Sequence, residues 1–508
     1  MIKKNIIELK NSFFLNKNEQ YFIDKSNSIK SFKNNKTIFL GIQMDYAHLA
    51  QATFLLQSKK FKDHKIIGIW NYNISPSWKN KFYLIEMMVM IKNKLKIFFL
   101  KKKWIKIYKA IGVSDIIDTN ETTFFNDYKY KIKSKNWISK IKNIKKNKFI
   151  KLKIENIVVG DLIIDTYIRF RNTQTLQPDD QFLKIIIKKF MISKHNIEKA
   201  IRKFKPKSFL LSYSNYSAGV VARTALYNNI NVFCTGDTMS YLKKLSKNDT
   251  NTHTSYRNFK VLFKTLNAKN IKLQQSRTEL KKRFLGIKDK AYSYMKKSPY
   301  KKNSKKFSSK ADGVLFLHDF MDTPHHFKSM FFLDFYDWAV YSLKIIQKYN
   351  LNIAIKPHPN AVYQNLTIIE NLKKQFPNIK WIGKNISNTD IFKSGIKFGI
   401  SVYGSILYEL AYNNIAAIAA TPYHPSYNYN FVHTPKNKNE YKKLLISSKK
   451  LKSKNDINKK IEEFYYMWTF FNHDMLPETG RLINLRDLDF SKSKSLVQFS
   501  KKLARYNN

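Results

Sequence analysis

Asn352-Ile-Ala-Ile-Lys356-Pro357-His358-Pro359 decides how the second half of this chain folds. The run Ile353-Ala354-Ile355 is short, apolar and flanked by breakers, which reads as a buried strand. Pro357 and Pro359 end it and restrict the backbone around His358. A buried strand closing on a rigid turn with a cation and an imidazole suits a parallel sheet, whose ligands gather beyond the carboxyl ends of its strands. The same rhythm continues on both sides, with strands expected at 314–318, 379–382, 398–401 and 416–419. Helices are expected at 335–349, 366–376 and 405–412, and from 441 to 471.

The first half repeats the pattern. Strands are expected at 37–42, 66–70, 157–164, 208–212 and 232–234, with helices at 46–56 and 218–228. The Lys/Ser-rich run KKNSKKFSSK at 301–310 has no apolar face and reads as a linker. The expected fold is therefore α/β: two Rossmann-type, doubly wound domains facing across a cleft. The expected divisions are an irregular N-terminal extension at 1–35, a first domain at 36–298, a basic linker at 299–312, a second domain at 313–475 and a tail at 476–508.

Further motifs fall just after these strands. Ser401-Val-Tyr-Gly404-Ser405-Ile-Leu-Tyr-Glu409 follows one strand and opens a helix. Gly404 permits close backbone approach, and Ser405 stands where a helix cap is expected. The free N–H groups and dipole of such a terminus favour an anion. Glu409, one turn on, is placed to accept hydrogen bonds from ribose hydroxyls. With Lys356 and His358 on a neighbouring strand end, the two motifs read as one phosphate site. His318-Asp319-Phe-Met-Asp322-Thr-Pro-His325 follows the strand at 314–318, and His318 and Asp319 are assigned to the same donor side. A metal is not expected there, because His318, His325 and His326 crowd one loop without the spacing of zinc sites. In the first half, Asp45 and His48 occupy the first strand–helix turn beside Gln43, and Asp161 lies in Gly160-Asp-Leu-Ile-Ile-Asp165-Thr-Tyr-Ile-Arg169. Asp45, His48 and Asp161 are the candidates for removing a proton from an acceptor hydroxyl. The competing reading is that Asp161 and Asp165 pair with Arg169.

The chain's 508 residues exceed one ordinary core, and 43% hydrophobic content argues against a disordered chain. Its net charge is +57, from 93 Lys+Arg against 36 Asp+Glu. The excess is mostly Lys, spread from end to end among Asn and Ile, as A+T-rich codons produce. No nucleic-acid-binding signature accompanies it, so a specific nucleic-acid partner is not expected. Attraction to anionic membranes and phosphorylated ligands is. Cys234 is the single cysteine, which excludes an intramolecular disulfide and a multi-cysteine metal site. The N-terminus MIKKNIIELKNSFF has no signal-peptide core, and the apolar stretch 87–100 is broken by Lys92, Lys94 and Lys96. A cytoplasmic protein is expected, touching the inner membrane face through 79–109.

Together the Lys-Pro-His-Pro turn, the Gly-Ser-Ile-Leu-Tyr-Glu-Leu-Ala helix start, the Leu-His-Asp-Phe strand end and Gly-Asp-Leu-Ile-Ile-Asp-Thr-Tyr-Ile-Arg resemble bacterial capsule and surface-polysaccharide biosynthesis proteins of GT-B architecture. The resemblance spans residues 36 to 475. The His-Pro and Ser motifs are also similar to those of 3-deoxy-octulosonate transferases, sialyltransferases and glycerophosphate polymerases. It implies nucleotide-phosphate contacts at His358, Ser405 and Ser401. One departure is Gly404-Ser405, where several relatives have adjacent serines. The implied activity moves a sugar from a nucleotide-sugar donor, bound by the second domain, to a saccharide or lipid-linked glycan acceptor bound by the first. No cofactor or divalent metal is expected. Two rivals remain: a nucleotide-sugar 2-epimerase of the same fold, and a basic membrane- or RNA-binding scaffold.

Overall fold

The computed structural model describes residues 14–26, 36–44, 48–49, 52, 64–72, 74, 83–142, 144, 146–234, 243–252, 258–287, 298–301, 307, 311–328, 330–359, 364–454 and 456–471. Asp45, most of the expected 46–56 helix, most of the 301–310 run and the tail lie outside them. The chain divides into two compact units, one built from residues up to Asn172 with Gln177–Thr254, the other from Thr173–Leu176 with Ser255–Phe471.

In the first unit the strands β1 (Thr37–Gly41), β2 (Lys65–Trp70), β3 (Asp115–Asp118), β6 (Ser208–Leu211), β7 (Asn231–Cys234) and β8 (Lys243–Lys244) form one sheet in the order β3-β2-β1-β6-β7-β8. All neighbours are parallel except β7 and β8. Side chains alternate between two cores, as a pleated strand requires. Ile38, Leu40, Ile66, Trp70 and Leu210 pack with Trp104, Ile107 and Tyr108 of the helix Tyr83–Ala110. Phe39, Ile67, Ile69, Phe209 and Leu211 pack with Val221 and Ala225 of the helix Tyr216–Tyr227 and with Ile197 and Ile201 of the helix Gln181–Phe204. Helices on both faces make the sheet doubly wound.

The second unit holds β9 (Gly313–Phe316), β10 (Ile353–Lys356), β11 (Phe398–Ser401) and β12 (Ala416–Ala419), all parallel, in the order β10-β9-β11-β12. Val314, Phe316, Ala354 and Ala417 pack with Leu407 and Leu410 of the helix Ile406–Tyr412 and with Phe464 and Tyr465 of the helix Asn458–Tyr466. Each unit is thus Rossmann-like, as expected. The order reverses between β1 and β6 in one sheet and between β9 and β11 in the other, and such switch points open crevices at the carboxyl ends of the strands.

Several expected elements differ. The 157–164 strand is instead a short hairpin strand β5 (Ile157–Val158), paired with β4 (Lys153–Ile154), followed by a helix from Gly160 to Arg171. The helix wins because Leu162, Ile163, Tyr167 and Ile168 recur at helical spacing. A Cβ on Gly160 would sit 1.9 Å from the Phe149 carbonyl, so only glycine opens it. The 379–382 strand reduces to a single bridge, Ile355 to Trp381. The extension at 1–35 is not wholly irregular: Lys17–Ser26 is a helix started by a reciprocal cap, the Asn16 side chain accepting from the Glu19 N–H and the Glu19 carboxylate from the Asn16 N–H. Ile23 reaches the core, and Glu19 pairs with Lys103 at 2.7 Å. The division between units falls near 254 rather than 298, because the helix Lys269–Phe284 sends Leu273 and Leu280 into the second unit's core. Tyr300, expected in a linker, is likewise buried in that unit.

Candidate functional site

Three of the motifs meet at the switch point of the second sheet. His318 follows β9 and Ser401 ends β11, its hydroxyl 3.2 Å from His318 Nε2 and 3.3 Å from the Phe316 carbonyl. The His318 ring stacks on Phe335, centroids 4.4 Å apart, and meets Trp338 and Tyr403 edge-on or tilted. Gly404 closes against this pair: a Cβ there would lie 3.3 Å from Ser401 Oγ and 3.6 Å from His318 Cε1. Burial in this aromatic box, with His358 nearby, holds the His318 imidazole at about 3, neutral at physiological pH.

Lys356 and His358 stand at the end of β10, next to β9. Lys356 is 2% exposed, donates to the Ile386 carbonyl, and has no carboxylate partner among the described residues. Burial alone pulls its ammonium down to about 8. His358 Nδ1 is buried and makes no hydrogen bond among the described residues. Burial lowers the His358 imidazole, Lys356 adds to this, and Asp319 and Asp322 oppose it. Asp319 is fixed by Asn365, whose side-chain amide donates to it at 2.7 Å, and by the Met321 N–H. The edge therefore combines one buried cation, the Asp319 and Asp322 carboxylates and an imidazole nitrogen without a hydrogen bond among the described residues, brought together from segments some 80 residues apart.

Two expected roles in this unit do not fit the geometry. Ser405 does not cap its helix; its hydroxyl lies 3.4 Å from Arg283 Nη2. Glu409 is 1% exposed, with one carboxylate oxygen held by Arg283 at 2.8 and 2.5 Å and the other by the Tyr300 hydroxyl. It joins its helix to Lys269–Phe284 rather than presenting an acceptor to ribose. Arg283 and Tyr300 went unrecognised in the sequence, where nothing sets this Arg apart from the other basic residues.

In the first unit, Asp161 does not pair with Arg169. Arg223 grips both its oxygens at 2.6 Å and also donates to the Val158 carbonyl. A carboxylate so held is a poor proton acceptor, so Asp161 reads as a clamp between two helices. His48 is buried, its Nε2 2.6 Å from the Gly41 carbonyl. Since a carbonyl only accepts, that nitrogen carries a proton and donates it to Gly41.

The buried histidines set an acid limit on the second unit. His424, bonded to Ser426 and Thr434, is also held at about 3 by burial. An unfolded imidazole takes its proton near about 6.5. Below that pH the unfolded chain binds more protons than the folded one. The stability these rings contribute is complete above 6.5 and is lost as pH falls from there toward 3, on the order of a few kcal/mol. Urea midpoints are expected to drop steadily from pH 7 to pH 4, and less steeply in His424→Gln; equal slopes would show that His424 does not resist protonation.

No protein-family profile matches the chain, and no curated protein sequence matches it. Among solved structures it is similar to UDP-GlcNAc 2-epimerase of Methanocaldococcus jannaschii in complex with UDP-GlcNAc and UDP, at 12% identity over 84% of this chain and 97% of that one, TM-score 0.26. It is similar to the Neisseria meningitidis UDP-GlcNAc 2-epimerase bound to UDP-GlcNAc at 10% identity, covering 92% and 100%, TM-score 0.24. It is also similar to Anabaena HepE in complex with UDP and glucose at 8% identity, covering 92% and 99%, TM-score 0.26. At these TM-scores the likeness decides neither fold nor activity.

Proposed function

We propose that the chain is a glycosyltransferase that moves a sugar from a nucleotide-activated donor onto a capsule or other surface polysaccharide or its lipid-linked precursor, without a divalent metal. The observation that supports this best is the buried Lys356 ammonium at the end of β10, beside His358 Nδ1: among the described residues the first has no carboxylate partner and the second no hydrogen bond. A buried cation without a counter-charge is costly, and a bound diphosphate supplies both the charge and the missing acceptors. In transfer, negative charge builds on the leaving diphosphate, and Lys356 and His358 stabilise it. Ser401 and Gly404 hold the His318 side of the same edge. The general base is assigned to Asp45 or His48, which follow β1 in the sequence. A thermal-shift panel of UDP-, CMP- and CDP-compounds in EDTA tests the donor reading. Stabilisation by one nucleotide class is expected; none, or stabilisation only with added Mg²⁺, would reject it. Conversion of donor in the absence of any acceptor would instead identify an epimerase.

We further propose that the first unit rests on an anionic bilayer. Among the described residues no helix is long and apolar enough to cross a membrane. The helix Tyr83–Ala110 nevertheless exposes Met88, Ile91, Leu95 and Phe98, each 50–66% accessible, at helical spacing, with Lys102 over the Phe98 ring. Such a stripe, flanked by lysines, suits the headgroup boundary. Lys101 and Lys103 are already paired with Asp118 and Glu19, so the apolar stripe is the better target. Ile91→Ser with Leu95→Ser is expected to abolish co-sedimentation with anionic vesicles; equal recovery would exclude this face.

A further inference from the structure

The helical layer of the first unit carries a cavity that none of the strand-end motifs lines. It measures about 280 Å³ and is walled by the helix Phe124–Lys142, the helix Gln181–Phe204 and the β4–β5 hairpin. The second of these helices leads directly into β6, so it ends at the amino edge of the sheet. Its lining residues, from Met191 to Glu198, fall in its second half, away from the carboxyl edge where a parallel sheet binds its ligands. Lys194 is 3% exposed, and its ammonium lies between two carboxylates, 2.5 Å from Glu155 Oε2 and 2.6 Å from Glu198 Oε1. Among the described residues the second oxygen of each carboxylate accepts no hydrogen bond. Tyr130 and Met191, both buried, and the half-buried Trp137 supply an apolar wall. Lys133 Nζ lies over the Tyr130 ring, 5.9 Å from its centroid, whereas Trp137 stacks on no other ring among the described residues.

The backbone bears on the same cluster. Ile154 pairs with Ile157, so Glu155 and Asn156 form a two-residue hairpin loop, and Glu155 has a φ of 53°. Glycine suits a positive φ at the first residue of such a loop, because a side chain is strained in the left-handed region. A glutamate here bears that strain and sets its carboxylate on Lys194.

We infer that this cavity binds an uncharged sugar ring, with Trp137 as the stacking surface and the outer oxygens of Glu155 and Glu198 as acceptors for its hydroxyls. A sugar ring offers several O–H donors and an apolar C–H face, which match carboxylate oxygens beside an indole. An anion meets two carboxylates that share a single buried lysine. An amine finds both carboxylates already on Lys194 and the Tyr130 face covered by Lys133, in a chain of net charge +57. Its place in the helical layer makes the cavity a holding site set apart from the strand ends, and its chemistry does not depend on the glycosyl-transfer reading.

The test uses the full chain. Wild-type protein is applied to an array of neutral hexose and N-acetylhexosamine oligosaccharides, with spermidine and inorganic phosphate as the amine and anion probes. The best oligosaccharide is then titrated into Trp137→Ala, Glu155→Gly and His358→Ala. Trp137→Ala and Glu155→Gly are expected to bind at least about tenfold more weakly. Glu155→Gly is expected to keep its melting temperature within about 2 °C of wild type, because glycine relieves the turn as the Lys194 contact is lost. His358→Ala is expected to bind the sugar as wild type does, so failure of the donor site and failure of this site are read separately. Wild-type binding to no neutral oligosaccharide, or to spermidine or phosphate instead, would overturn the inference. So would unaltered affinity in folded Glu155→Gly, which would leave the cluster as a brace between the two helices and the hairpin.

Discussion

His358→Ala is expected to lower turnover by tenfold to a hundredfold or more while the protein remains folded. The ring stands just past β10 with Nδ1 buried and without a hydrogen bond among the described residues, so its removal breaks none of the hydrogen bonds they make. A hydrogen bond to a charged phosphate contributes about 1.5–3 kcal/mol, and each 1.36 kcal/mol is about a factor of ten in rate. Protonation gives a second readout. Burial depresses both His358 and Lys356, the latter to about 8. An arriving diphosphate favours the charged forms and raises both. Near neutral pH, nucleotide binding should therefore take up protons, seen as a dependence of the calorimetric heat on buffer ionisation enthalpy. His358→Ala should reduce that uptake. Wild-type turnover in the folded variant, or an unchanged proton count, would remove His358 from the donor site.

Much of this edge is legible in the sequence, and the reason is local. A short apolar run bounded by prolines or by Gly-Ser announces both a strand and the place where it stops, and in a parallel sheet that stop is where ligands bind. Lys356, His358, His318, Ser401 and Gly404 all lie at or just past strand ends of this kind. The residues misjudged depend on partners distant in sequence. Glu409 stood one turn inside a helix and looked available; what occupies it is Arg283, 126 positions away. Asp161 has Arg169 eight residues on, but it is Arg223, from another helix, that holds it. The 157–164 segment differs for another reason: Gly160 and Asp161 divide its apolar residues, and the helical recurrence of Leu162, Ile163, Tyr167 and Ile168 runs on past 164, beyond the stretch read as a strand.

Loss of one partner from the Arg283–Glu409 pair is expected to be the most destabilising single change considered for this protein. Both side chains are 1–2% exposed, and Tyr300, also buried, completes the carboxylate's shell. Desolvation of such a pair is repaid only while both members are present, and breaking one member strands a buried charge at a cost of about 3–5 kcal/mol. Arg283→Met should therefore lower the melting temperature of the second unit by roughly 10 °C. Tyr300→Phe, which leaves the ion pair intact but removes one donor, should cost about 1–3 kcal/mol. Burial and the neighbouring carboxylate raise the Tyr300 phenol, so it remains a donor across the accessible pH range and its loss is not mimicked by alkali. The double variant Arg283→Met/Glu409→Leu leaves no unpaired charge and should recover much of the loss, giving a large coupling energy in a double-mutant cycle. This pattern separates the two roles considered for Glu409. A ribose ligand would make Glu409→Gln raise KM for the nucleotide-sugar with the melting temperature unmoved. A structural anchor makes the same substitution lower the melting temperature first, with nucleotide affinity following only as the Ile406–Tyr412 helix loses its hold on Lys269–Phe284.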